Sequence, residues 1–80
     1  MTVIRAAQFL DGGIVHCYDK DGKKIAITIE TSVRSFVETK LKKKQIDDRT
    51  TIYARGEKKT VAILKKELGI GSFWRWLFKN

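Results

Sequence analysis

The chain has 80 residues, 42% of them hydrophobic, which suits one small domain spanning residues 1–80 and excludes an extensive core. It carries 17 Lys and Arg against 9 Asp and Glu, a net charge of +8. Its lone cysteine, Cys17, excludes an internal disulfide and suits a reducing compartment.

The first stretch, Val3–Phe9, reads as a strand, although "IRAAQFL" also tolerates a short helix. "DGG" at 11–13 is a turn, and "IVHCY" at Ile14–Tyr18 is β-rich. "DKDG" at Asp19–Gly22 is a second turn, which makes a hairpin with the strand that follows. That strand, "KIAITIE", gives the clearest period of two in the chain. Ile25, Ile27 and Ile29 share one face, and Ala26, Thr28 and Glu30 the other.

The period then changes. In "TSVRSFVETKLKKK", Val33, Phe36, Val37 and Leu41 fall on one helical face, and Thr31 or Ser32 can cap the start. Lys42, Lys43 and Lys44 form a collar at the helix end, where the helix dipole favours cations. "QIDDR" breaks the helix. "TTIYAR" alternates, with Ile52 and Ala54 against Thr51, Tyr53 and Arg55, and predicts a fourth strand. After Gly56, "EKKTVAILKKELG" predicts a second helix with Val61, Leu64 and Leu68 inward and Gly69 at its end. The competing reading makes "TVAIL" a buried strand. The order βββαβα implies an α+β fold, an antiparallel sheet with two helices on one face. The last residues, "GSFWRWLFKN", hold both tryptophans. In so small a chain this apolar area is expected to close the core. At least one ring, Trp74 or Trp76 among them, is expected to stay exposed for a partner or for self-association.

Motifs for catalysis are sparse. His16 and Cys17 are neighbours, so on a strand they point to opposite faces and cannot act as a nucleophile–base pair. No second Cys or His exists for a zinc site. Asp19, Asp21 and Glu30 have the spacing of a calcium loop, but a strand lies between them where that loop needs flanking helices, and a hairpin turn accounts for them. Asp47 and Asp48 beside Arg49 read as a turn with local ion pairing. No metal, cofactor or enzymatic activity is expected.

The charge is distributed unevenly. Residues 1–30 are neutral, with Arg5, Lys20, Lys23 and Lys24 against Asp11, Asp19, Asp21 and Glu30, so the whole +8 falls in residues 31–80. Lys42, Lys43, Lys44, Arg49, Arg55, Lys58, Lys59, Lys65 and Lys66 are the candidate phosphate contacts. On one helix, Lys58 with Lys65 and Lys59 with Lys66 would make a basic flank. Tyr18 and Tyr53 either pack beneath the helices or offer stacking surfaces on the sheet for single-stranded nucleic acid. These features favour a small, non-enzymatic module that binds DNA or RNA with little sequence specificity. The rival is a protein-binding accessory or inhibitor, of the sort that mobile elements or phages encode. It would dock on an acidic protein through its basic surface and aromatic tail. The short tail also suits a membrane interface, but with too little area to lead. No apolar run approaches the roughly 20 residues of a transmembrane helix. The N-terminus lacks a signal peptide's apolar region, so a cytoplasmic location is expected.

Overall fold

The turns fix the first half of the molecule. In the computed structural model, which describes residues 3–70, β1 (Ala6–Phe9) runs into a single tight turn at Asp11–Gly13 and returns as β2 (Ile14–Tyr18). Leu10 N–H donates to the Ile14 carbonyl at 2.7 Å across that turn. The next turn is held by Asp19, whose Oδ1 accepts from the Asp21 and Lys23 N–H groups at 2.9 and 3.0 Å. It leads into β3 (Lys24–Ile29), antiparallel to β2. The pairing slips by a residue beside Cys17 and Tyr18, a bulge at the Lys24 end of β3.

α1 (Val33–Lys42) starts where Ser32 Oγ accepts the Ser35 N–H at 3.0 Å. It ends at Lys43 and Lys44, the latter in the left-handed region at φ 58°. The chain then returns as β4 (Thr51–Ala54), which lies parallel to β1 in the register Ala6–Thr51, Ala7–Ile52, Gln8–Tyr53.

The last strand corrects the expected helix over 57–69. β5 (Glu57–Thr60) forms a hairpin with β4, and α2 (Val61–Leu68) begins only after it. Arg55 at φ 53° and Gly56 at φ 76° make a two-residue hairpin turn with both central residues left-handed. That turn presses Lys58 and Lys59 against Tyr53 and Ile52, and ladder pairing overrides their helical propensity. Thr60 then caps α2, accepting the Ile63 N–H at 3.4 Å.

The architecture is α+β, with five strands in the order β3-β2-β1-β4-β5 and two helices. The sheet is mixed where an antiparallel one was expected, because the passage through β3 and α1 brings β4 in alongside β1. The expected closure by the tail concerns residues outside those described.

Both helices pack on the same sheet face. Phe36 and Val37 of α1 and Val61 and Leu64 of α2 join Ala7, Val15, Cys17 and Ile52 in one buried cluster, with Ile4, Ile46 and Ile70. Phe9 meets Phe36 edge to face, with centroids 5.4 Å apart. On β3 the residues paired with inward Val15 and Cys17 are Thr28 and Ala26. Ile27, paired with His16, and Ile29, paired with Ile14, therefore lie on the face that the helices leave uncovered. Ile27 is 61% and Ile29 75% exposed.

Gly12 and Gly13 have nearly equal φ values of 79° and 78°, but a Cβ on Gly13 would sit 2.5 Å from the Glu30 carbonyl oxygen, and one on Gly12 would meet nothing. Gly12→Ala should cost about 1–2 kcal/mol for its left-handed backbone. Gly13→Ala should cost about 1 kcal/mol more, because the collision adds to the same strain. Urea denaturation of the two variants measures the difference, and equal costs would show that Glu30 yields freely.

Candidate functional site

The nine candidate cations do not form one surface. Lys58 and Lys59 lie on β5 and Lys65 and Lys66 on α2, so the expected one-helix flank is replaced by two elements. Lys59 points to the helix side and binds Glu67 at 2.8 Å and Glu57 at 3.1 Å. Those carboxylates, Glu67 first and then Glu57, raise its pKa. Lys65 binds Asp48 at 2.9 Å. Arg55 occupies the β4–β5 turn, at the end of the sheet away from α1's C-terminus.

Lys42, Lys43, Lys44 and Arg49 do fall together at one end. The Ile4 N–H donates to the Gln45 carbonyl at 2.8 Å, which sets the α1 C-terminus beside the start of β1. The turn after β2 reaches the same end, where Arg5 and Lys20 line one shallow recess with Val3, Asp19 and Asp21. All four clustered cations are exposed, and among the described residues none forms an ion pair.

Asp47 organises this end. Its Oδ1 accepts the Arg49 N–H at 2.9 Å, and both its carboxylate oxygens take Arg5 Nη1 at 2.9 Å. Desolvation pushes its pKa up, but the Arg49 N–H bond, the Arg5 hydrogen bonds and the charges of both arginines outweigh it and hold the carboxyl below its ordinary value.

The second surface is the uncovered sheet face. Register places Lys58, Tyr53, Gln8, His16 and Ile27 in one row across all five strands, from β5 to β3. Tyr53, between Lys58 and Gln8 in that row, is 41% exposed. Tyr18 shares the face, half-buried, one row nearer the basic end beside Ala6 and Thr51. Neither tyrosine packs beneath the helices. Period-two parity put Tyr53 with Arg55 and Thr51 on one face. The alignment of Gln8 and His16 with Tyr53 depends on a register between distant strands, which no local pattern carries.

Cys17 faces the opposite way, fully buried, and burial raises its pKa while Lys40 opposes the rise. Asp19 is engaged with backbone N–H groups in a hairpin turn, and Glu30 follows the far end of β3. A recess of about 380 Å³ opens between the N-terminal end of α1 and α2, with Val33, Ile52, Leu64 and Leu68 as its apolar lining and Arg34 and Arg55 at its rim. Trp74 and Trp76 lie outside the described residues. Among the described residues, no helix is long and apolar enough to cross a membrane. Compared with known protein families, curated proteins and solved structures, the chain matches none.

A carboxylate with a lowered folded pKa stabilises the fold above its unfolded value and loses that contribution as pH falls through the folded pKa. Asp47→Asn keeps an acceptor for Arg49 but removes the charge. It should lower stability at pH 7 by roughly 0.5 kcal/mol, a figure discounted for solvent screening of a partly exposed pair. The gap between variant and parent should close below about pH 4, as the parent carboxyl is protonated. Chemical denaturation at pH 7 and pH 3 checks both, and a gap that is constant with pH would assign the loss to shape and not charge.

Proposed function

We propose that the protein is a non-enzymatic nucleic-acid-binding module that takes single-stranded DNA or RNA with little sequence preference. The observation that carries this reading is the uncovered sheet face, where exposed Tyr53 stands between Lys58 and Gln8 in a row that continues to His16. An aromatic ring stacks on any base because every base has a π-face. Lys58 beside it can reach a phosphate, and the unpaired collar of Lys42, Lys43 and Lys44 with Arg49, at one end of the sheet, offers further phosphate contacts. No base-reading motif is visible in the sequence, which fits a weak sequence preference.

A second reading, a protein-binding accessory or inhibitor, is favoured by the exposure of Ile27 and Ile29 on the same face. A protein partner that survives nuclease treatment in a pull-down would favour it.

Contact by Lys42, Lys43, Lys44, Arg49 and Lys58 should give a log–log salt slope of about −3 to −4 on a single strand, at about 0.7 per phosphate. Changing Lys42, Lys43 and Lys44 together to Gln should flatten that slope by about 2 and shift stability by less than about 0.5 kcal/mol. Tyr53→Ala should weaken binding about 5- to 100-fold and Tyr53→Phe should not. Fluorescence anisotropy with a labelled oligonucleotide reads all of these, and absence of binding to both DNA and RNA at low salt would refute the function.

A further inference from the structure

We propose that two copies of this chain join edge to edge through β3, antiparallel, with the two Ile27 residues facing each other on a twofold axis. The proposal is independent of the nucleic-acid reading and rests on the backbone, the charge pattern and the exposure of one strand.

β3 is the sheet's edge, and its outer side has no partner strand among the described residues. The direction of its backbone groups follows from one bond. Glu30 N–H donates to the Gly13 carbonyl at 2.8 Å, so Glu30 turns its backbone toward β2. Such groups alternate along an antiparallel strand. Thr28 and Ala26 therefore also bond inward, and Ile27 and Ile29 direct their N–H and C=O groups to the open edge.

An exposed edge is ordinarily guarded by proline, by a charge within the strand, or by a bulge along it. Here residues 25–29 read Ile-Ala-Ile-Thr-Ile, with no charge and no proline. The bulge lies at the Lys24 end and leaves Ala26–Ile29 regular.

The charges flanking this run select the partner. Lys24 and Glu30 stand three residues either side of Ile27, with opposite sign. Antiparallel pairing about Ile27 sets Ala26 against the other copy's Thr28 and brings each Lys24 to the same end as the other copy's Glu30. Parallel pairing would set lysine on lysine and glutamate on glutamate, which is unfavourable. Neither Lys24 nor Glu30 forms an ion pair among the described residues. The segment is thus complementary to itself, the requirement of an isologous interface. The axis at Ile27 makes the two residues exchange both N–H···O bonds and keeps both uncovered faces on one side. The product is a continuous ten-stranded sheet, five strands from each copy, with paired isoleucines at its middle.

The test uses the full-length chain. Sedimentation equilibrium at about 0.15 M salt, where long-range repulsion between the basic copies is screened, should show a reversible monomer–dimer equilibrium. Ile27→Lys should raise its dissociation constant about tenfold or more by opposing two ammonium groups across the axis. Circular dichroism should show that variant folded, because Ile27 is exposed.

Register is read by cross-linking, because the native Cys17 is buried. Facing residues of a hydrogen-bonded antiparallel pair have Cα atoms about 5.5 Å apart, within disulfide reach. Ile27→Cys should therefore oxidise to a covalent dimer. Ile29→Cys alone should not. A chain that stays monomeric at about 1 mM would overturn the proposal and leave the face to residues 71–80 or another protein. Ile29→Cys linking to itself as readily as Ile27→Cys would equally overturn it.

Discussion

The parallel pairing of β1 with β4 rests on a knot of hydrogen bonds around Thr50. Among the described residues, Thr50 is the buried polar side chain, fully inaccessible. Its Oγ1 donates to the Ile4 carbonyl at 2.7 Å and accepts the Asp47 N–H at 3.2 Å. Losing both bonds would leave a buried hydroxyl unsatisfied, at a cost of about 1–3 kcal/mol. A parallel pair cannot be closed by a short turn and must be clamped from elsewhere. Here Ile4 is gripped on two sides, by Thr50 and by its N–H bond to Gln45, while Arg5 binds Asp47 and accepts the Thr51 N–H at 2.9 Å. The same segment seats the last helix, because the Thr50 and Asp48 carbonyls accept the Val61 and Ala62 N–H groups at 2.8 and 3.2 Å. Those are N–H groups of the first turn of α2, which have no partner within the helix.

Two helices placed on one side leave the other side of a five-stranded sheet to solvent, and register decides what is displayed there. A one-residue slip of β3 against β2 would exchange Ala26 and Thr28 for the isoleucines. The slip is prevented at the two ends of the hairpin by different means. Gly13 faces Glu30 so closely that only hydrogen fits between them, and the Asp19 turn with its bulge absorbs a residue at the other end. The isoleucines hold the strand by β propensity and cross-strand packing on a face that has no helix to cover it.

Local chemistry was legible in the sequence, and long-range register was not. The β2–β3 hairpin, the alternation of β4, the Ser32 cap and the lysines at the end of α1 all depend on neighbours within a few residues. Glu57, Lys58 and Lys59 favour helix individually, so the local pattern predicts helix where β5 stands. The decisive signal was Arg55–Gly56, a two-residue turn that tolerates left-handed backbone at Gly56 and strains it at Arg55. The parity of Tyr53 was legible, but its place beside Gln8 and Lys58 depends on which strands adjoin. The face that would be covered was equally beyond a pattern of two, since alternation separates two faces without saying which one meets the helices.

The charges separate into those that hold the fold and those that do not. Lys59, Lys65 and Arg5 each grip a carboxylate on another element or turn, fastening α2 and the Asp47 turn to the sheet. Lys42, Lys43 and Lys44 fasten nothing among the described residues. The α1 dipole favours cations at its C-terminus by about 0.3–1 kcal/mol each, but three adjacent ammonium groups repel one another. Lys44 also lies in the left-handed region, where a side chain costs about 1–2 kcal/mol and glycine or asparagine would fit better. A helix end selected for stability alone would carry glycine there and fewer like charges beside it. The strain and the unpaired charge coincide at Lys44, where no ion pair among the described residues offsets either.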